Sequence, residues 1–189
     1  TVICSDKTGT ITENSMKLNA IYDAKMCTVF DENQFNDVEI SEIIQYAMWS
    51  SEPDPFDPME KTLHRVYEQT QVDERNQYQM FFEYPLSGKP PMMTHCFKNN
   101  ENQRIIAAKG APEAILNVSK LSEEEKNQLK KVIDDFGLKG FRLLGVAKST
   151  FNSNDFPKQQ QDLPFELLGF VVFYDPPKKG INEVFEKIY

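Results

Sequence analysis

The sequence predicts an α+β fold, an antiparallel sheet flanked by helices, with short pieces of a Rossmann-like α/β domain at its two ends. Three observations carry that expectation. In the middle of the chain, runs of β-type residues are joined by short polar turns, as antiparallel hairpins require. Between them lie segments whose apolar residues recur every three or four positions, the spacing of a helix with one buried face. At the two ends, short apolar runs lead into an aspartate, Asp6 after 1–4 and Asp175 after 167–173, as a strand buried on both faces does when it delivers an acid to a sheet edge.

The elements follow in order. Residues 16–30 read as two short strands with a polar break at 22–25. Asn36 or Asp37 can cap a helix whose apolar face is Ile40, Ile43, Ile44, Ala47 and Met48. Pro53 and Pro55 make 50–57 a loop. Asp57-Pro58-Met59-Glu60 then has the form of a capping box with proline in the first turn, opening a helix with Met59, Leu63, Val66 and Tyr67 as its stripe. Tyr78, Met80, Phe82 and Tyr84 alternate with their neighbours as a strand does, until Pro85 and the loop 88–91 interrupt. Residues 93–97 and 104–108 pair as a hairpin that feeds into Lys109-Gly110-Ala111-Pro112-Glu113. Ser122 and Glu125 form a second capping box, with Leu129, Val132, Ile133 and Phe136 on one face and Gly137 as the stop. Late strands follow at 141–147 and 167–173, and a helix starts at Gly180.

Composition narrows the class. A chain of 189 residues, 40% apolar and 12% aromatic, can bury a substantial core. Its net charge of −8 argues against a nucleic-acid partner, which needs clustered Lys and Arg, and an anionic ligand would need a local cationic pocket. Cys4, Cys27 and Cys96 form no C-x-x-C pair, so neither a disulfide framework nor a thiolate zinc site is expected, and a reducing compartment fits. With His64 and His95 as the only histidines, no transition-metal cluster is expected either. No apolar run approaches the ~20 residues of a membrane span. The chain starts at Thr1 in mid-strand and stops at Tyr189 within a helical pattern, so the expectation is a soluble, monomeric piece of something larger.

Asp6 heads the chemistry. A strand-end carboxylate can attack phosphorus if cations and dipoles neutralise the incoming phosphoryl oxygens. Lys7 supplies charge, Thr8 and Thr10 hydroxyls and amides, and Gly9 close backbone approach. Read without its neighbours, the same carboxylate could simply close an Asx turn.

The complete string Asp6-Lys7-Thr8-Gly9-Thr10-Ile11-Thr12 resembles the phosphorylation signature of the P-type, cation-transporting ATPases. The resemblance implies that Asp6 is phosphorylated and that Thr8 helps hold the phosphoryl group and Mg2+. Further stretches match in order. Lys109-Gly110-Ala111-Pro112-Glu113 resembles the motif whose lysine lines the ATP pocket. Asp57-Pro58-Met59-Glu60 is similar to the segment whose glutamate lies near the adenine amino group, although Glu60 could equally complete its capping box. Phe141-Arg142-Leu143-Leu144 resembles the segment whose arginine, here Arg142, faces the nucleotide phosphates. Asp175-Pro176-Pro177-Lys178 resembles the hinge by which the chain re-enters the phosphorylation domain.

Two positions depart from that pattern. Leu86 stands where an adenine-stacking phenylalanine is usual and Pro91 where a lysine is usual; Tyr84 or Phe82, and Lys89, are the expected substitutes. Weaker nucleotide binding follows, since an aromatic face contributes ~0.5–1.5 kcal/mol beyond burial. The absence of a Ser-Glu-His-Pro-like site, with the Lys109 pentad, points to the calcium-pump-like branch. The implied organisation is the start of the phosphorylation domain at 1–18, the nucleotide-binding domain at 19–168, and the hinge and return at 169–189.

The implied function is the ATP-binding domain of a membrane pump, on the cytoplasmic side, with ATP and Mg2+ as ligands. Its partners would be the actuator, the rest of the phosphorylation domain and the transmembrane helices. The fragment would bind nucleotide without turnover. Two other classes remain open. A haloacid-dehalogenase-type phosphohydrolase shares the strand-end aspartate but usually carries a second Asp where this chain has Thr8. A non-catalytic interaction module would keep the fold and bind no nucleotide.

Overall fold

The computed structural model describes residues 4–6 and 9–188, and all that follows refers to those. β1 (Lys17–Asp23) and β2 (Thr28–Asp31) form the first hairpin. Two helices follow, α1 (Val38–Trp49) and α2 (Pro58–Thr70). Next come the edge strand β3 (Tyr78–Ser87), β4 (Met92–Asn99) and β5 (Arg104–Gly110), all antiparallel neighbours. The short α3 (Pro112–Val118) and α4 (Glu123–Leu138) precede β6 (Arg142–Ser149) and β7 (Phe165–Tyr174), and α5 (Ile181–Ile188) closes the described chain.

The seven strands make one antiparallel sheet in the order β2-β1-β7-β6-β5-β4-β3. Because successive side chains point to opposite faces, each inner strand supplies both sides of the sheet. Ile105 and Ala107 of β5 pack on the α1/α2 side with Ile40, Ile43, Ile44 and Leu63, while Ile106 and Ala108 pack on the α3/α4 side with Ile115, Leu116 and Leu129. The result is a sheet between two helical layers. Gly169 of β7 is fixed by this packing, since a Cβ there would lie 2.0 Å from the Tyr22 carbonyl oxygen of β1.

Local chemistry explains the boundaries. Asp57 caps α2 by accepting hydrogen bonds from the amides of Met59 (2.8 Å) and Glu60 (3.2 Å), and Pro58 fills the first turn, where its missing N–H costs nothing. The box itself does not close, because the Glu60 carboxylate turns inward instead of returning to the Asp57 amide. Ser122 and Glu125 do form the expected box on α4. That helix continues through Gly137 to Leu138, and the left-handed residue beyond its end is Gly140 (φ +81°), which corrects the expected stop. β3 runs on through Pro85 to Ser87, which an edge strand tolerates because a proline needs no partner on its open side.

The expected strand 1–4 lies outside the described residues apart from Cys4. The second end strand, β7, is a single run from Phe165 to Tyr174 between β1 and β6, antiparallel to both. The sheet therefore extends from Lys17 to Tyr174, across positions 18/19 and 168/169. Just beyond it the chain crosses itself. Thr12 bridges Pro177, the Glu13 amide donates to the Pro176 carbonyl at 2.9 Å, and the Lys178 amide donates to the Ile11 carbonyl at 2.9 Å.

Candidate functional site

β5 ends in Lys109 and Gly110, directly over the first turn of α2. Lys109 Nζ donates to Glu60 Oε1 at 2.6 Å, to the Ser50 carbonyl at 2.7 Å and to Ser51 Oγ at 3.2 Å. Both members of the pair are buried, Lys109 to 5% and Glu60 to 7% exposure. Burial pulls the Lys109 ammonium below its usual range, and the Glu60 carboxylate opposes that shift. A second buried group adjoins them. His95 Nδ1 lies 3.1 Å from the Ser51 carbonyl, and burial followed by the Lys109 charge holds the imidazole below its usual value. Its Nε2 is 3.9 Å from Glu52 Oε1, too far for a hydrogen bond, and a neutral imidazole makes that contact no ion pair.

The pair forms the floor of a cleft of about 300 Å3 whose walls include Phe56, Met59, Leu86, Met93 and Leu144. Leu86 reaches it through an irregularity in β3. Tyr84 pairs with Thr94 but Ser87 with Met92, so one extra residue is inserted between them. The extra residue keeps Tyr84 and Ser87 on the α3/α4 side and leaves Leu86 on the cleft face. Gly110 is needed by the fold. A Cβ there would sit 2.5 Å from the Pro91 carbonyl oxygen, the same oxygen that accepts from the Ala111 amide at 2.9 Å.

The structure thus brings Glu60, Leu86, Lys109 and Gly110 to one cleft. It does not bring Tyr84, Phe82 or Lys89 there. Tyr84 is buried on the opposite side and donates to the Pro157 carbonyl at 2.5 Å, while Phe82 stacks on Phe156 at 4.4 Å. Both are therefore corrected as stand-ins for an aromatic at position 86. Lys89 is exposed in the β3–β4 turn and lines no part of the cleft. Arg142 is exposed at the start of β6. Strand alternation sets it on the face of Leu144, beyond the cleft and toward the crossing at 175–177.

The cleft also contains residues that the motifs alone did not single out. Glu52, Phe56 and Met93 come from the loop before α2 and the start of β4. Leu144 lies within a quoted motif, and its spacing of two from Arg142 was the available signal. Alternation marks Met93 only as part of a hairpin, and nothing in the pattern of 50–57 marks Phe56.

Asp175 holds the crossing together. Its Oδ2 accepts from Thr12 Oγ1 at 2.5 Å and its Oδ1 from the Ser15 amide at 3.0 Å, and Lys178 Nζ donates to the Gly9 carbonyl at 2.6 Å. Asp175, Pro176 and Pro177 therefore tie the outgoing chain to the incoming one. Asp6 is exposed among the described residues, while Lys7 and Thr8 lie outside them. No three acidic, His or Cys side chains converge among the described residues.

The chain is similar to known proteins over nearly its whole length. The chain is 29% identical over 194 residues to a probable cation-transporting P-type ATPase of Mycoplasma genitalium, covering 96% of this chain and 21% of that protein. It is 26% identical over 191 residues to probable proton ATPases 1A and 1B of Leishmania donovani, covering 98% of this chain and 17% of each. It spans about a fifth of the length of the curated relatives it matches. The family described as P-type ATPase, cytoplasmic domain N, matches residues 56–180, from the loop ahead of Glu60 to the Asp175 crossing, and on that match the chain belongs to the P-type ATPases through their domain N.

Proposed function

We propose that this chain is the ATP-binding module of a cation-transporting pump, and that the cleft over Glu60 and Lys109 receives the nucleotide base. The buried Glu60–Lys109 pair carries the reading. An ion pair lying at the floor of an apolar cleft offers a carboxylate acceptor, held in place by the Lys109 ammonium, where water is scarce, as recognition of a planar base with polar edges requires. Glu60 Oε2 makes no hydrogen bond to a described residue and can accept from an exocyclic amino group. Met59, Leu86, Met93 and Leu144 supply apolar contact. Arg142, on the same face and nearer the crossing, is placed to meet the phosphates.

In the intact pump the triphosphate would point toward the residues around Asp6. The Asp6 carboxylate would attack the γ-phosphorus, the bond to the β-phosphate oxygen would break, and ADP would leave. Mg2+ supplies charge neutralisation when bound with ATP; here Asp6 and Thr8 are the proposed contributors, with the remaining ligands from other parts of the pump. The boundaries of the module fall at the two stitched segments, 9–16 and 175–178. The module would stand on the cytoplasmic face of a membrane, beside the actuator and transmembrane helices. The Lys109 pentad favours the calcium-pump-like branch.

Calorimetric titration of the chain with MgATP tests the reading. Saturable binding that Glu60→Gln and Lys109→Met each weaken supports it. Equal affinity in both variants, or no binding at millimolar MgATP, overturns it. Incubation with γ-labelled MgATP leaves Asp6 unlabelled if the module binds without turnover; stoichiometric label on Asp6 refutes that part.

A further inference from the structure

Phe56 is 84% exposed and Leu86 is 63% exposed, and no other apolar side chains lining the Glu60–Lys109 cleft are as accessible. They come from different elements, the loop 50–57 and the displaced end of β3. Phe56 is the one aromatic among the lining residues, and it stacks on no other described ring. Leaving a phenylalanine in water forfeits the gain from burying it, and here no packing within the chain recovers that gain.

The backbone under Phe56 is nevertheless well anchored. The next residue, Asp57, is held by its two hydrogen bonds to the first turn of α2, the turn that also carries Glu60. Pro55 and Pro58 flank it and restrict the chain on both sides. The aromatic ring is therefore at a defined distance along the chain from the cleft floor, with only its side-chain torsions left to adjust. On the other rim, the extra residue in β3 sets the exposed Leu86 on the cleft face.

Resting on the nucleotide reading above, we infer that Phe56 is the base-stacking residue of this cleft: a planar aromatic base enters beside Phe56 and Leu86, its polar edge toward Glu60 and Lys109. Phe56 also borders a wider groove of about 610 Å3 formed with Met16, Phe35 and Val66, and the test separates the two.

The 189-residue chain and its Phe56→Ala, Phe56→Leu and Phe56→Trp variants are titrated with MgATP and, separately, with magnesium tripolyphosphate, which has no base. Because the side chain is exposed, all variants should melt with the wild type. Phe56→Ala is expected to weaken MgATP about two- to tenfold, the range one aromatic contact provides, with Phe56→Leu between and Phe56→Trp at or above wild-type affinity. Tripolyphosphate affinity stays constant. Unchanged MgATP affinity in Phe56→Ala, or an equal loss for both ligands, overturns the stacking role while leaving the cleft as a nucleotide site. No MgATP binding by the wild type overturns the nucleotide reading and this inference with it.

Discussion

Replacing Lys109 by methionine removes the central donor of the cleft floor and leaves its partners where they are. The Ser50 carbonyl is buried with the pair and loses its 2.7 Å bond, while Glu60, 7% exposed, loses its 2.6 Å counter-charge. Breaking a buried pair from one side costs about 3–5 kcal/mol, because the remaining charge stays desolvated without compensation. For a chain of this length that is a fall in melting temperature of about 6–20 °C. Replacing Glu60 by methionine as well removes the orphaned charge, so the double variant should recover about half of that loss or more. The assay is direct. Trp49 is the only tryptophan, is 3% exposed, and packs on Phe97 at 4.7 Å, so its fluorescence in urea follows loss of the α1-to-sheet core. A loss below about 1 kcal/mol for Lys109→Met, or a double variant as unstable as the two singles summed, would falsify the claim that the pair is buried and coupled.

Three further outcomes are expected. Asp175→Ala releases Thr12 and the Ser15 amide, so amide exchange at Ser15 should rise by a factor corresponding to roughly 1.5–3 kcal/mol, with little change in the melting of the sheet; unchanged exchange would show that the crossing holds without the carboxylate. His64 and His95 are both held below their usual 6.5, chiefly by burial and then by Arg75 and Lys109 respectively, so the unfolded chain takes up protons below about pH 6.5 while the folded chain does not. Stability that is complete above pH 6.5 should therefore decline on acidification, by up to about 1.4 kcal/mol per pH unit for each imidazole; a flat urea midpoint between pH 7 and 5.5 contradicts this. Burial pushes the Cys96 thiol up to about 12, whereas Cys4 and Cys27 are exposed, so a thiol reagent at pH 8 should titrate two cysteines at once and the third only after unfolding.

Much of this architecture is legible in the sequence because periodicity reports burial. The stripes of α1 and α2 are buried as their spacing predicts, with Met59 only partly so, and the β4–β5 hairpin falls where alternation and the polar turn put it. The cleft is partly legible, since Glu60 and Lys109 stand in compact motifs that fix their local backbone. What connects them is not. The Glu60 side chain has two competing partners, its own helix cap and Lys109, and only the packing of β5 over α2 decides between them. Leu86 is placed by one extra residue in a strand, and alternation read along β3 alone would send it to the wrong face. Phe56 is invisible to patterning because it has no periodic neighbours in a proline-flanked loop. Gly137 against Gly140 shows the same limit, as both can end a helix and only Gly140 takes up the left-handed conformation.

The place of β7 in the sheet also bears on how the molecule is made. It is the last of the described strands and yet third in spatial order, and among the described strands it alone pairs with both the β2–β1 hairpin and the block β6-β5-β4-β3. Until residue 174 has left the ribosome, the partly synthesised chain holds two separate sheet fragments, each with an open edge and each missing the wall that buries Ile21 or Val146. Closure joins Lys17 to Tyr174 across almost the whole sequence, a pairing of high contact order that is slow for entropic reasons. Truncation before β7 should accordingly yield aggregation-prone halves rather than a smaller stable sheet.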